Sequence, residues 1–360
     1  MNPNVVKGLL VLLVVVDHND FSRSVFPGFL YGFSFHVVGF MTLPFLRPAP
    51  PLDRQFGQYL FRLYYPFLVL ATALALAVAL ITPVSALHQL QSWALTLYSG
   101  NSSVVKQTTH MAMLWFLPSF VALVALRTGL DHLGRGGKLF AIAALCAIHP
   151  LIGVAPGRIE NYLPLGLLPA LYMVPLALVA AWGHARLLRL PRGAGLVLTV
   201  LVYALVKSVQ MEAHLYYEVG FAIVADYTQP FALLINDLES ITGVWMVFQL
   251  GRFSLGAPVE TAGKYSLQVY LFHAFVAAVI YKVLVSSASG TPSIVLFCVS
   301  FALTAVLATL LARFLAEQRT IKRLLFPRTT AELAAALRWP TLEAHGAVAA
   351  AKPEPRHHDR

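Results

Sequence analysis

Apolar residues occur along this chain in runs of about 20, separated by short polar stretches, the pattern of helices that cross a bilayer. The runs predict about ten transmembrane helices, at 4–20, 27–46, 58–82, 109–127, 138–154, 162–184, 195–212, 231–250, 264–284 and 293–315. The first run reads KGLLVLLVVVDHN from Lys7 to Asn19 and stops abruptly at Asp17 and His18. On a helix, Lys7 and His18 fall within about 20° of one face, with a rise of about 16 Å between them. Taken alone, the stretch fits a surface anchor and a far-interface cap as well as it fits a shared functional line.

Composition agrees with the pattern. Of 360 residues, 58% are hydrophobic and 12% charged, and the mean hydropathy is +0.71. A soluble domain would carry about 25% charged residues. The formal net charge of +10 would suggest nucleic acid in a soluble protein, but the basic residues sit in short loops without interleaved aromatics. The expected partner is therefore the lipid bilayer, with no nucleic acid. Lysine and arginine concentrate in alternate loops. Arg47, Arg54 and Arg62 are followed by Arg127, Arg135 and Lys138, then by Arg186, Arg189 and Arg192, by Arg252 and Lys264, and by Arg313, Arg319, Lys322 and Arg323. The intervening loops hold at most one each, which predicts both termini in the cytoplasm. The fold expected is thus an all-α polytopic membrane protein, with a transmembrane domain over 1–325. A cytoplasmic tail over 326–360 begins with a surface helix near 330–339 and is otherwise disordered. Cys146 and Cys298 lie inside apolar runs with no metal-ligand spacing, so both are expected as small core residues and no metal site is expected.

Ionisable residues inside the spans are the candidates for function. His18 and His36 come to similar depths on consecutive antiparallel helices. Ser266, Tyr270 and His273, at i, i+4 and i+7, share one face of the ninth helix, which reads either as helix–helix adhesion or as part of a site. Arg62 precedes Pro66 in RLYYPF, where a proline loosens the backbone and lets a guanidinium turn inward toward phosphate, unless it is one more interfacial anchor. Lys207 on the seventh helix faces Asp237 and Glu239 entering the eighth, and an intramembrane ion pair is the economical reading. The segment 211–230 mixes Glu212, His214, Glu218 and Asp226 with Tyr216, Tyr217 and Tyr227, a composition suited to sugar binding or to an ordinary solvated loop.

Several segments in order, KGLLVLLVVVDH, FSFHVVGFMTLPF, RLYYPF, WFLPSF at Trp115 to Phe120 and GKYSLQVYLFH at Gly263 to His273, resemble acyltransferase family 3. The lysine heading the first helix is most similar to the fucose 4-O-acetylase-like branch, which acetylates sugar hydroxyls. The resemblance covers about 1–325. It implies an inner-membrane enzyme that moves an acyl group, here acetyl, from cytosolic acyl-CoA as co-substrate to a carbohydrate or lipid-linked glycan acceptor, with no bound cofactor. It also implies essential roles for Lys7 and His18 and matches His36, Arg62 and His273 to motif positions. Lys7 stands where many members have arginine, Asp17 where most have a small residue, and Val37 to Thr42 replace a small, glycine-containing segment.

The chemistry fits the residues. A sugar hydroxyl attacking a thioester needs a base, and neutral imidazole serves near neutral pH. That assigns His18 as the base, with His36 beside it, and Lys7 and Arg62 at the phosphates of coenzyme A. Asp17 lies about 100° around the helix from His18 and is expected to serve His36 or another helix. No GxSxG elbow is present, so a serine acyl-enzyme is not indicated. A different class, a proton-coupled transporter of a small polar or sugar-like substrate, also accounts for buried Asp, Lys and His, although the halves of the chain show no inverted repeat.

Overall fold

The computed structural model describes residues 1–25, 35–46, 58–82, 85–153, 163–212, 230–287, 293–327 and 329–337. Residues 27–34 of the expected second helix, most of 211–230 and the end of the tail lie outside them. The described residues are helical, with no strand, as a bilayer demands of a chain that must satisfy its backbone polar groups internally. Among the described residues eight helices are long and apolar enough to span, which makes this an all-α, multi-pass membrane protein.

The first helix, α1 (Pro3–Asp17), starts with Pro3 just inside and Asn2 capping Asn4 N–H at 3.0 Å. At 15 residues it is about 22 Å long, short of the roughly 30 Å hydrocarbon core. It ends before the expected residue 20 because the Asn19 side chain takes the Phe21 N–H and turns the chain into α2 (Ser22–Val25). Val5, Val6, Leu10, Val11, Val14 and Val15 are all buried, so α1 is enclosed on most of its circumference. Next comes α3 (Phe35–Thr42), which tightens into a 3₁₀ turn at Leu43–Leu46. Gly39 lies against Leu10 of α1.

A π-helical turn at Leu60–Tyr64 then leads into α4 (Tyr65–Ile81). Pro66 has no N–H to give the Arg62 carbonyl, and the Tyr65 N–H reaches back to Leu60, so the register slips by one residue where Arg62 sits. The next two helices fall where no span was expected. α5 (Ala86–Ser99) runs back along α4, with Gln89 Nε2 on Ala75 O, Trp93 Nε1 on Thr72 Oγ1 and Tyr64 Oη on Leu97 O, each at 3.0 Å. Gly100, at φ +62°, ends it, and α6 (Ser102–Thr109) returns, tied by a 2.9 Å bond between Thr96 and Thr108 hydroxyls.

The remaining spans are α7 (Phe116–His132), α8 (Arg135–Gly153), α9 (Leu167–Leu187), α10 (Arg192–Glu212), α11 (Pro230–Leu250), α13 (Ser266–Ser287) and α14 (Ser293–Glu317). The short α12 (Ala257–Lys264) precedes α13, and α15 (Arg319–Leu325) and α16 (Thr330–Leu337) close the described chain. The bundle has an inside and an outside. Around α7, α9 and α11 the apolar window is 78, 61 and 67% buried, against 17–28% for α4, α8, α10, α13 and α14. The outer helices present leucine and valine to lipid, as at Leu80, Leu139, Leu205 and Val279. Cys146 and Cys298 are exposed on α8 and α14. This corrects their assignment to the core, since an apolar run in a membrane does not tell a lipid face from a packed one.

One contact is closer than side chains permit. A Cβ on Gly8 would collide with the Val259 carbonyl, and one on Gly263 with that of Asn4. The backbones of α1 and α12 therefore touch through two glycines. Asn2 adds a 3.1 Å bond to Glu260.

Candidate active site

The α1–α12 contact sets the height of the helix that follows. Because α13 continues from α12, it rises beside α1, and His273, ten residues beyond Gly263, meets His18, ten residues beyond Gly8. The two imidazole centroids are 5.1 Å apart and the rings cross at 82°, edge to face. His36, on the first turn of α3 and 5% exposed, lies within electrostatic reach of His273. Three helices thus bring together the three histidines that the sequence singled out.

The hydrogen bonds fix which nitrogen does what. Nδ1 of His18 is 3.0 Å from Val14 O, and Nδ1 of His273 is 2.7 Å from Tyr270 O. A carbonyl only accepts, so Nδ1 carries the proton in both rings and each Nε2 presents a lone pair. The His18 side chain is 38% exposed; that of His273 is fully buried. Asp17 Oδ2 lies 3.8 Å from His18 Nδ1, beyond hydrogen-bond distance, so Val14 orients the ring and Asp17 adds a nearby negative charge.

The other residues of the ninth-helix stripe differ in their commitments. Tyr270 is buried and donates to Met113 O, with its ring 5.1 Å from Phe116. This pins α13 to the turn that opens α7 and uses the hydroxyl proton. Ser266 is half-buried at the first residue of α13. Lys7 is half-buried on α1, next to the glycine that meets α12 and about 16 Å below His18 along the helix. Lys264 ends α12 with its ammonium 5.2 Å from the Tyr265 ring centre. Arg62 is exposed on the π-helical turn, which packs on α7.

A second set of buried polar groups lies across α8 to α11. The carboxylate of Glu239 is 3.8 Å from Lys207 Nζ and accepts a 3.2 Å bond from Tyr203, and Lys207 donates to Gln210 at 2.8 Å. Asp237 does not join them. It takes 2.9 Å bonds from Tyr172 Oη and His149 Nε2, while His149 Nδ1 donates to Tyr172 O at 2.9 Å. The expected grouping of Lys207 with both carboxylates is corrected accordingly. Residues two apart on a helix point about 200° apart, so Asp237 and Glu239 face different neighbours. His149 was not anticipated, although an IHP triplet inside an apolar run was the signal available.

Chemically, the histidine cluster offers an accessible imidazole lone pair at one end of a helix and a lysine toward the other. Among the described residues no group of three or more His, Cys, Asp or Glu is arranged to hold a metal. No curated protein and no solved structure matches the chain. The model of an acyltransferase domain family matches residues 2–313, which takes in every element of the cluster. By that match, over nearly the whole helical region, the chain belongs to acyltransferase family 3 and is a multi-pass membrane acyltransferase.

Proposed function

We propose that the protein is an O-acyltransferase of the inner cell membrane, which carries an acyl group, acetyl in the simplest case, from cytosolic acyl-CoA to a hydroxyl of a carbohydrate or other envelope acceptor. The observation that carries this reading is the His18 tautomer. With Nδ1–H on Val14 O, the free Nε2 takes the proton of the acceptor hydroxyl as its oxygen attacks the thioester carbonyl. The tetrahedral intermediate then expels the thiolate, and the His18 imidazolium returns the proton to sulfur, giving ester and free coenzyme A. His36 and His273 wall the site, and Asp17 stands where an incoming sugar hydroxyl finds an acceptor.

Lys7 meets the phosphates of coenzyme A at the basic end of the bundle, with Arg62 as a second contact. The rise of about 16 Å to His18 is a length that an extended pantetheine arm bridges. Both termini on the cytoplasmic side follow from the same orientation. Family membership as an acyltransferase favours this chemistry over proton-coupled transport, which would leave the thioester intact. The test is thiol release from acetyl-CoA by the purified full-length protein, with and without an envelope-glycan fraction. Wild-type protein should release thiol only with acceptor, and His18→Ala should not. Equal release by both would remove His18 as the base.

A further inference from the structure

His273 is a buried imidazole with an unanswered nitrogen. Its side chain is 0% exposed, Nδ1 is committed to Tyr270 O at 2.7 Å, and Nε2 has no hydrogen-bond partner among the described residues. Its position is held from several directions. Tyr270, one turn below, is tied to Met113 and packed on Phe116, and the Gly8–Gly263 contact sets the height of α13. A lone pair so fixed accepts a hydrogen bond and cannot donate one. It lies in the same cluster as His18, whose ring centroid is 5.1 Å from its own.

Resting on the function proposed above, we infer that His273 is a substrate-binding residue. Its Nε2 accepts a hydrogen bond from an N–H or O–H that the substrate carries in, holding the reacting pair against His18. Two parts of the substrates bring such a donor. One is the amide N–H of the pantetheine arm beside the thioester; the other is a hydroxyl of the acceptor next to the one acylated. His273 is not a second base in this account. Among the described residues no carboxylate pairs with it, whereas His18 has Asp17 beside it.

The test uses the full-length protein and two variants. His273→Phe keeps a buried ring against His18 and removes the lone pair, while His273→Gln restores an acceptor oxygen at similar reach. Acetyl-CoA binding is measured by calorimetry without acceptor, and acetyl transfer is measured against a titrated envelope-glycan fraction from cells lacking the protein. His273→Phe should lose about tenfold or more in kcat/KM, and His273→Gln should recover much of it. Weaker acetyl-CoA binding in the Phe variant identifies the pantetheine amide as the donor. Unchanged binding with a raised acceptor KM identifies the acceptor hydroxyl. Wild-type kinetics in the Phe variant would overturn the assignment, as would a folded Gln variant no better than Phe. Should Phe fail to fold, a folded Gln variant with near-wild-type kcat/KM supports the assignment and an inactive one overturns it. An absence of acetyl transfer by the wild-type protein is a different result, which would fail the proposed function itself.

Discussion

His149 and His273 are both buried imidazoles inside an apolar bundle, and their surroundings differ in one respect. At His149 every partner is supplied by protein. Nδ1 reaches Tyr172 O and Nε2 reaches Asp237, each at 2.9 Å, and the Tyr172 ring stacks on the imidazole at 4.2 Å. Both ring nitrogens face oxygens, and the Asp237 carboxylate also takes the Tyr172 hydroxyl at 2.9 Å. That is how ionisable groups are tolerated within a membrane. At His273, among the described residues, only Nδ1 is answered. A buried polar atom left without a partner costs about 1–3 kcal/mol, a cost that persists where a ligand repays it with a hydrogen bond of its own. At these two histidines it is hydrogen-bond saturation, more than burial, that separates the closed network from the candidate site.

This contrast can be broken by mutation. The largest effect is expected at the proposed base. His18→Gln should cut acyl transfer by about 10²–10⁴-fold, the usual contribution of a general base, while thermal unfolding in detergent stays near wild type. A matching loss of stability would place His18 with the structural histidines. Asp237→Ala should do the reverse. Removing one partner of a buried pair destabilises by about 3–5 kcal/mol, read as a lowered unfolding midpoint, with activity per folded molecule little changed. If the variant folds normally but is inactive, the closed network belongs to the site after all.

A smaller effect is expected where the two lines of the cluster are set in height. Gly8→Ala should cost about 1–3 kcal/mol, because the added methyl meets the Val259 carbonyl and α1 and α12 must part. It should also lower kcat by moving His18 against His273, and unaltered kinetics would show that their alignment is not critical. The smallest effect concerns the donor. Lys7→Ala should raise the KM for acyl-CoA by about tenfold with kcat nearly unchanged, the signature of lost phosphate binding. A fall in kcat alone would contradict that role.

Most of the framework was legible in the chain, since long apolar runs leave few alternatives. Eight of the expected spans correspond to long helices within a few residues of their expected ends. The first ends early because Asp17 to Asp20 form a polar turn that Asn19 stabilises. The α5–α6 hairpin was missed since polar residues interrupt it every few positions, as in ALHQLQSWALTLYS, and hydropathy alone does not register a helix that packs along a neighbour. His18, His36 and His273 were found because membrane interiors exclude histidine without a reason. Their meeting was less visible. It depends on Gly8 and Gly263 letting two backbones touch, a contact between positions 255 residues apart. The partition of Asp237 from Glu239 was readable from helix geometry, as positions two apart do not share a face, whereas the choice of His149 as partner required the packing of α8 on α9.

The most direct measurement is mass spectrometry of envelope glycans from cells carrying wild-type protein, His18→Ala or Asp237→Asn, each at equal membrane abundance. The account predicts one acyl mass increment with wild type, its loss with His18→Ala, and its retention with Asp237→Asn. An increment that survives His18→Ala would contradict the assignment of an imidazole lone pair at the end of α1 as the reactive centre.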